Sequence, residues 1–240
     1  SLSYILTERW RLNFNTGRYY QIPPYTMLGF RDTDGKLLNK ENELKYIESD
    51  HLVAGLEFLP DDFSKVTLEG FYKHYRDYPL SVADGISMAS KGADFGTYGD
   101  EEVISASKGR AYGMEVLVRD KNFYNFNFIF SYTLVRSEFT NGDDNYIASS
   151  WDNKHIFNAT ILRKFKRNWE AGIKWRFVGG APFTPADLER SSYISVWDTR
   201  GTAFPDYSLY NTLRLKSFHQ LDIRIDKEYY FDKWSLIVYT

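Results

Sequence analysis

The sequence predicts an all-β fold: an antiparallel, up-and-down β-barrel that crosses a membrane with its strands. Three observations carry this reading. Apolar and polar residues alternate with period two over many stretches. The connections between those stretches are short and long in strict turn. Aromatic residues make up 18% of the chain, with 19 Tyr, 18 Phe and 6 Trp, which suits large amphipathic surfaces.

The strand candidates come in order. Trp10, Leu12 and Phe14 alternate with Arg9, Arg11 and Asn13. Leu52, Ala54, Leu56 and Phe58 share one face, as do Val66, Leu68, Gly70 and Tyr72. Tyr112, Met114, Val116 and Val118 oppose Gly113, Glu115 and Arg119. In "FYNFNFIFSYTL", Tyr124, Phe126, Phe128, Phe130, Tyr132 and Leu134 oppose Asn125, Asn127, Ser131 and Thr133. Phe157, Ala159 and Ile161 follow, and then Trp169, Ala171, Ile173, Trp175 and Phe177, which oppose Glu170, Gly172, Lys174 and Arg176. Leu221, Ile223 and Ile225 oppose Gln220, Asp222, Arg224 and Asp226; Trp234, Leu236 and Val238 come last. This gives nine strand candidates and no amphipathic helix.

Alternation alone fits a soluble sandwich as well as a membrane wall, because either buries one face. The connections decide. Four are short: "LPDDF", "RDKN", "KRN" and "YFDKW". Four are long, over residues 15–44, 76–109, 137–153 and 179–216. Compact soluble domains rarely hold several long unstructured loops, whereas membrane barrels have short turns at one rim and long loops at the other. Length agrees too. The eight steps from Trp169 to Phe177 span roughly 26 Å at ~3.3 Å per residue. Tilted by about 40°, they cover roughly 20 Å of an apolar band ~25 Å tall. Tyr124, Trp169 and Trp234 follow short turns, where an interfacial girdle belongs.

Composition narrows the function. The net charge of −2 gives no footprint for nucleic acid. Cysteine is absent, which excludes a disulfide framework and thiolate metal sites. The opening "SLSYILTERW" has neither the basic start nor the long apolar stretch of a signal peptide. No run approaches the ~18 apolar residues of a spanning helix, a test that strands evade.

Several stretches then carry a resemblance: "GRYYQIPPY", "GRAYGMEVLVRD", "FSYTLVRSEF", "SWDNKHIFNATI", "WRFVGGAPFTP" and "FHQLDIRIDKEYYF". In order and spacing the chain resembles the C-terminal barrel portion of TonB-dependent outer-membrane receptors of Bacteroidetes type. The resemblance implies a piece of a 22-strand plugged barrel. Nine strands starting and ending outward fit strands thirteen to twenty-one, with residues 1–240 in one outer-membrane barrel domain and with plug and earlier strands lying elsewhere. It implies import of a scarce nutrient (siderophore, vitamin, peptide or glycan) without catalysis or a cofactor. The implied partners are outer-membrane lipid, the TonB energy-transducing complex acting through the plug, and the nutrient ligand, with room for a surface lipoprotein. An open sheet with residues 6–14 and 234–239 as edges is expected. Two alternatives remain at this point: a soluble β-sandwich that binds carbohydrate, and an outer-membrane barrel hydrolase.

Candidate ligand contacts are the loop aromatics Tyr19, Tyr20, Tyr25, Tyr193 and Trp197, which serve equally well to order their loops. His51, His74, His155 and His219 show no metal-ligand spacing. Asp152, three residues before His155 in "WDNKH", reads as a hydrogen-bonding rim element rather than a catalytic acid. "KGADFGTYGDEE" reads as a mobile surface loop. Glu115, Glu170, Asp222 and Asp226 read as lumen acids able to pair with Lys174, Arg176 and Arg224.

Overall fold

The computed structural model describes residues 1–91 and 100–240. The glycine-rich stretch read as a surface loop falls largely outside them. The strands are β1 (Leu2–Ile5), β2 (Trp10–Gln21), β3 (Ile47–Phe58), β4 (Ser64–Ser81), β5 (Val103–Phe123), β6 (Phe126–Thr140), β7 (Tyr146–Ala148), β8 (Lys154–Phe165), β9 (Trp169–Val178), β10 (Pro182–Phe183), β11 (Leu213–Arg214), β12 (Phe218–Tyr230) and β13 (Ser235–Tyr239). One antiparallel sheet runs β1-β2-β3-β4-β5-β6-β8-β9-β12-β13, with β7 paired to β6 and β10–β11 forming a separate ribbon. The sheet is open: β1 and β13 do not pair.

The wall has ten strands on its path rather than nine. β1 pairs with β2, Leu2 opposite Phe14 and Tyr4 opposite Leu12, so the first edge is β1 and not residues 6–14. Four residues are too few to show a period. The turn between them is held by Thr7, whose Oγ1 accepts the N–H groups of Arg9 and Trp10 at 3.3 and 3.2 Å.

Strand register builds the faces. Trp10, Phe58, Val66, Val118, Phe130, Ala159, Trp175 and Leu221 oppose one another in one row across β2 to β12. Phe128, Ile161, Ile173 and Ile223 form the next row on the same face. Trp10 begins its strand, whereas Leu221 lies well up from Tyr230 at the end of β12. Such a climb is the stagger that tilted barrel strands require. No second sheet packs on this face. Ile173 is 49% exposed, and Leu221 and Ile223 are 62% and 64% exposed. So continuous an apolar surface needs lipid rather than water, and the β-sandwich alternative fails on it.

The opposite face carries Glu115, Glu170, Lys174, Arg176, Asp222 and Arg224. Arg224 pairs with Asp226 at 2.8 Å and Glu170 with Lys164 at 3.9 Å. Lys174 and Arg176, expected as partners, form no ion pair among the described residues, because this polar face leaves them free to be solvated.

Long and short connections alternate as expected, with different bounds. β2 runs on to Gln21, so Tyr19 and Tyr20 are strand residues and the connection starts at residue 22. β4 and β5 likewise extend past the expected loop margin. Above the apolar band the outward face turns charged. Arg18 bonds Asp50 at 2.7 Å, Arg76 reaches Asp50 at 2.6 Å, and Arg110 and Arg136 both reach Glu138 at 2.8 Å. There the strands continue without an apolar face, which hid them from the periodicity. At the other rim the reversal falls at Tyr124 and Asn125, both at positive φ (48° and 67°), rather than at "RDKN". Lys121 belongs to β5. Tyr124 is therefore the turn tip, 80% exposed, and not an outward strand residue.

Replacing Ile173 with Arg should cost the folded, inserted protein ~2–4 kcal/mol near the bilayer midplane. Lys174→Ala, on the polar face, should shift stability by less than about 0.5 kcal/mol. Reversible denaturant unfolding from lipid vesicles measures both, and equal costs would refute the face assignment.

Candidate functional site

The hydrophobic core of the described residues lies among the long connections rather than in the wall. Met27, Met88 and Val103 are each 2% exposed or less and pack together, with Leu44 and Tyr78 against them. They come from the connection 22–46, from helix Met88–Lys91 and from the start of β5. Asn39, fully buried, ties these pieces. Its Nδ2 donates to the carbonyls of Met27 (2.8 Å) and Glu101 (2.9 Å), and its Oδ1 accepts the N–H of Val103 at 2.8 Å. A buried amide with every bond satisfied specifies its setting, because leaving one unmade costs about 1–3 kcal/mol.

A second buried group joins the other connections. Asp152 is 0% exposed and its Oδ1 accepts the N–H of Ser137 at 2.9 Å. Arg136 Nε lies 3.2 Å from the same oxygen, close enough for attraction though not aligned for a hydrogen bond. The Arg214 guanidinium bonds both the Asp152 carboxylate and its backbone carbonyl, and also the carbonyl of Gly180 at 3.1 Å. Glycine is required here. A Cβ on Gly179 would sit 2.1 Å from the Asn153 carbonyl oxygen, and one on Gly180 would sit 1.7 Å from that of Leu215. "WDNKH" and "VGG", far apart in sequence, are thus one rim junction, and Asp152 serves it as a hydrogen-bond acceptor. His155 turns away and bonds the Tyr132 hydroxyl at 2.9 Å.

Further ties complete a cap. Gly142 N–H donates to Gly85 at 2.8 Å, and Asn211 Nδ2 donates to the carbonyls of Ser90 and Ala148 at 2.9 Å each. Within the last long connection, hydrogen bonds from the hydroxyl and N–H of Ser208 hold Asp206 below the usual carboxylate range.

Two cavities adjoin this cap. One, of about 800 Å³, lies on the polar face near the loop rim and includes Tyr19, Tyr20, His51, Lys73, Tyr75 and Phe139 in its lining. Tyr19 packs its ring 4.6 Å from His51, and Tyr75 lies 5.3 Å from Phe139. The other, of about 620 Å³, opens between loops, with Asp84, Lys91, Glu101, Arg200 and Tyr207 in its wall. Lys91 Nζ sits 2.6 Å from Asp84 and 2.8 Å from Glu101. Stacking rings and hydrogen-bonding groups together suit capture of a polar small molecule.

Of the five aromatics singled out by sequence, Tyr19 turns its ring into the first cavity, whereas Tyr20 only borders it, opposite Glu48 on the outward, charged side of the strands. Tyr25, Tyr193 and Trp197, 79%, 58% and 49% exposed, stand apart on the loops and line neither. Trp197 donates its indole N–H to the Ser191 carbonyl at 2.7 Å, ordering its own loop. Sequence reasoning missed His51, Tyr75 and Phe139. The available signal was an inward set turning aromatic just where the outward set turns charged.

An open antiparallel wall with a lipid-facing apolar side, short turns at one rim and a cross-tied cap at the other defines an outer-membrane β-barrel. Residues 1–239 match the family described as TonB dependent receptor-like, beta-barrel, and the chain belongs to that family, whose members are bacterial outer-membrane transport receptors. No curated protein matches the chain. Among solved structures it is similar to the ferric citrate transporter FecA in its unliganded form (TM-score 0.67, 14% identity, covering 99% of this chain and 31% of that one). It is similar also to the pyoverdine receptor FpvA of Pseudomonas aeruginosa PAO1 bound to pyoverdine (0.63, 14%, 99% and 30%). A third is the ferric-catecholate import receptor Fiu from K12 E. coli (0.59, 13%, 94% and 27%). At these identities the likeness is one of fold, and the chain spans under a third of each structure's length.

Asp152→Ala should destabilise the rim junction by roughly 3 kcal/mol, since it strands two arginines against a buried site. Hydrogen exchange should quicken at Ser137 and Leu215 and stay unchanged at Ile173. Uniform acceleration along the wall would instead mean global unfolding.

Proposed function

We propose that residues 1–240 form part of one outer-membrane barrel domain in a receptor that imports a scarce nutrient: a siderophore, vitamin, peptide or glycan. The observation that carries this reading is the cross-tied cap, which sets an aromatic, polar cavity at the loop rim on the polar side of a lipid-facing wall. Ligand capture falls to that region, with Tyr19 in the cavity, Tyr20 at its border and Tyr25, Tyr193 and Trp197 on the outer loops. This chain supplies wall and binding surface and no catalytic residues. Energy reaches the receptor from the TonB complex through a plug segment outside it, and a surface lipoprotein of the kind found in Bacteroidetes-type systems fits over the loops.

Growth of a receptor-deletion strain on single ferric chelates, cobalamin, peptides and glycans should reveal one class of source it cannot use. Restoring the receptor should restore growth on that source. Tyr19→Ala should then raise the half-saturating concentration about tenfold, the scale of one well-placed aromatic anchor, at unchanged receptor abundance. Growth on every source without the receptor would overturn the import reading.

The loops should face the cell exterior. Proteinase K added to intact cells should cut within residues 179–217 and spare the short-turn sites Asp61 and Tyr124. Cleavage only after the outer membrane is opened would reverse the orientation.

A further inference from the structure

The outward face carries two cations that the rest of the wall does not explain. Arg163 on β8 lies opposite Ala171, and Lys227 on β12 lies opposite Trp169, so both share the lipid-facing side with Ile173 and Trp175. Both sit at the short-turn rim, where the apolar stripe ends. The Arg163 guanidinium lies over the rings of Phe126 (4.6 Å) and Phe165 (5.2 Å). Lys227 Nζ lies over those of Tyr229 (5.0 Å) and Trp169 (5.5 Å) and bonds the Arg167 carbonyl in the adjoining turn.

The charged belt at the opposite rim gives the contrast. There each of the four arginines on the outward face meets a carboxylate. At the short-turn rim Glu170, Asp226 and Glu228 lie on the polar face, taken by Lys164, Arg224 and the Tyr230 hydroxyl. The one outward acid beside Arg163, Asp120, accepts from the Ser64 hydroxyl at 2.7 Å and the Asn122 N–H at 2.8 Å. Arg163 and Lys227 form no ion pair among the described residues. A cation on a lipid-facing surface is costly unless it reaches the interface or meets an anion there. Aromatic rings stabilise each cation without neutralising it. Between the two, Ala171 leaves a dip in a face otherwise built of Trp169, Ile173 and Ile225. One strand and one row separate the cations, about 12 Å between Cα atoms by strand spacing and rise, close enough for the two long side chains to converge over Ala171.

We infer that Arg163 and Lys227, with Trp169 as the floor, form a binding site for the phosphate headgroup of an anionic phospholipid in the leaflet on the short-turn side. The headgroup phosphate accepts hydrogen bonds from both cations, while an acyl chain lies along Ile173 and Ile223. Charge complementarity fixes the occupant. The outward face presents unpaired positive charge at headgroup depth, and the apolar row beside it continues towards the membrane centre. The site rests on that face being the lipid face, and so on the receptor reading.

The test uses the intact receptor in detergent, titrated with phosphatidylglycerol and followed by native mass spectrometry. Diacylglycerol and inorganic phosphate serve as separate probes. Arg163→Gln and Lys227→Gln should each weaken phosphatidylglycerol retention roughly fivefold, the usual contribution of one basic residue at an anionic membrane surface. The double variant should lose more than either, while Arg163→Lys with Lys227→Arg should keep most of it. Unboiled electrophoretic mobility confirms that each barrel is folded. Unchanged retention in the folded double variant would overturn the site, and so would diacylglycerol held as tightly as phosphatidylglycerol. Displacement of the lipid by equimolar inorganic phosphate would overturn the lipid as occupant. Failure of the parent receptor to insert into vesicles would instead strike at the receptor reading itself.

Discussion

Every backbone N–H and C=O in a lipid-facing wall must find a partner on a neighbouring strand, because hydrocarbon offers none. That requirement organises this molecule. It forces an unbroken ladder from β1 to β13 and makes register absolute, since a slip of one residue would turn Trp175 and Ile173 into the lumen and Lys174 and Arg176 into lipid. With register fixed, each strand presents one face to each solvent, and the shared rows from Trp10 to Leu221 follow. The arrangement is enforced by solvation rather than by a packed interior, which explains why so many large apolar side chains are exposed.

Stability near the loop rim has a different origin. Above the lipid band no apolar face drives assembly, and charge takes over: the Arg18–Asp50–Arg76 and Arg110–Glu138–Arg136 sets hold strand ends together across the sheet. Fully satisfied buried groups then tie the connections to the wall, Asn39 on one side and Asp152 on the other. Such networks are demanding, because an unmade bond costs about as much as a made one gives. In return they specify one arrangement of long segments that local propensity leaves open. The rigidity of the loop rim thus derives from a handful of polar atoms.

How much of this was legible in the sequence depended on which solvents met across a strand. β6, β9 and β12 could be read almost residue by residue, because lipid and water impose opposite demands on alternate positions. The upper ends of β2, β4 and β5 could not, since both their faces meet polar surroundings and the period fades. β1 was too short to show any period, and Tyr124 at a positive-φ turn position was hidden by its apolar side chain. The cavity was half visible. Tyr19 and Tyr20 were singled out, though as loop residues, whereas His51, Tyr75 and Phe139 lie inward on strands where the pattern anticipates small or polar groups. The Asp152 role was readable because its neighbours resembled a rim element, but its partner Arg214, more than sixty residues on, becomes visible only through the fold.

The ties made by Asn211, whose one side-chain amide bonds the backbones of two other connections, bear on how such a surface diversifies. A substitution in any single loop is felt by the carbonyls of its neighbours, so loops grafted one at a time from a relative would arrive without their counterparts. The ties survive more readily when the long connections are exchanged together than when one is replaced alone. Recombination between members of the family, with breakpoints in the regular strands, therefore disturbs this rim less than change made loop by loop.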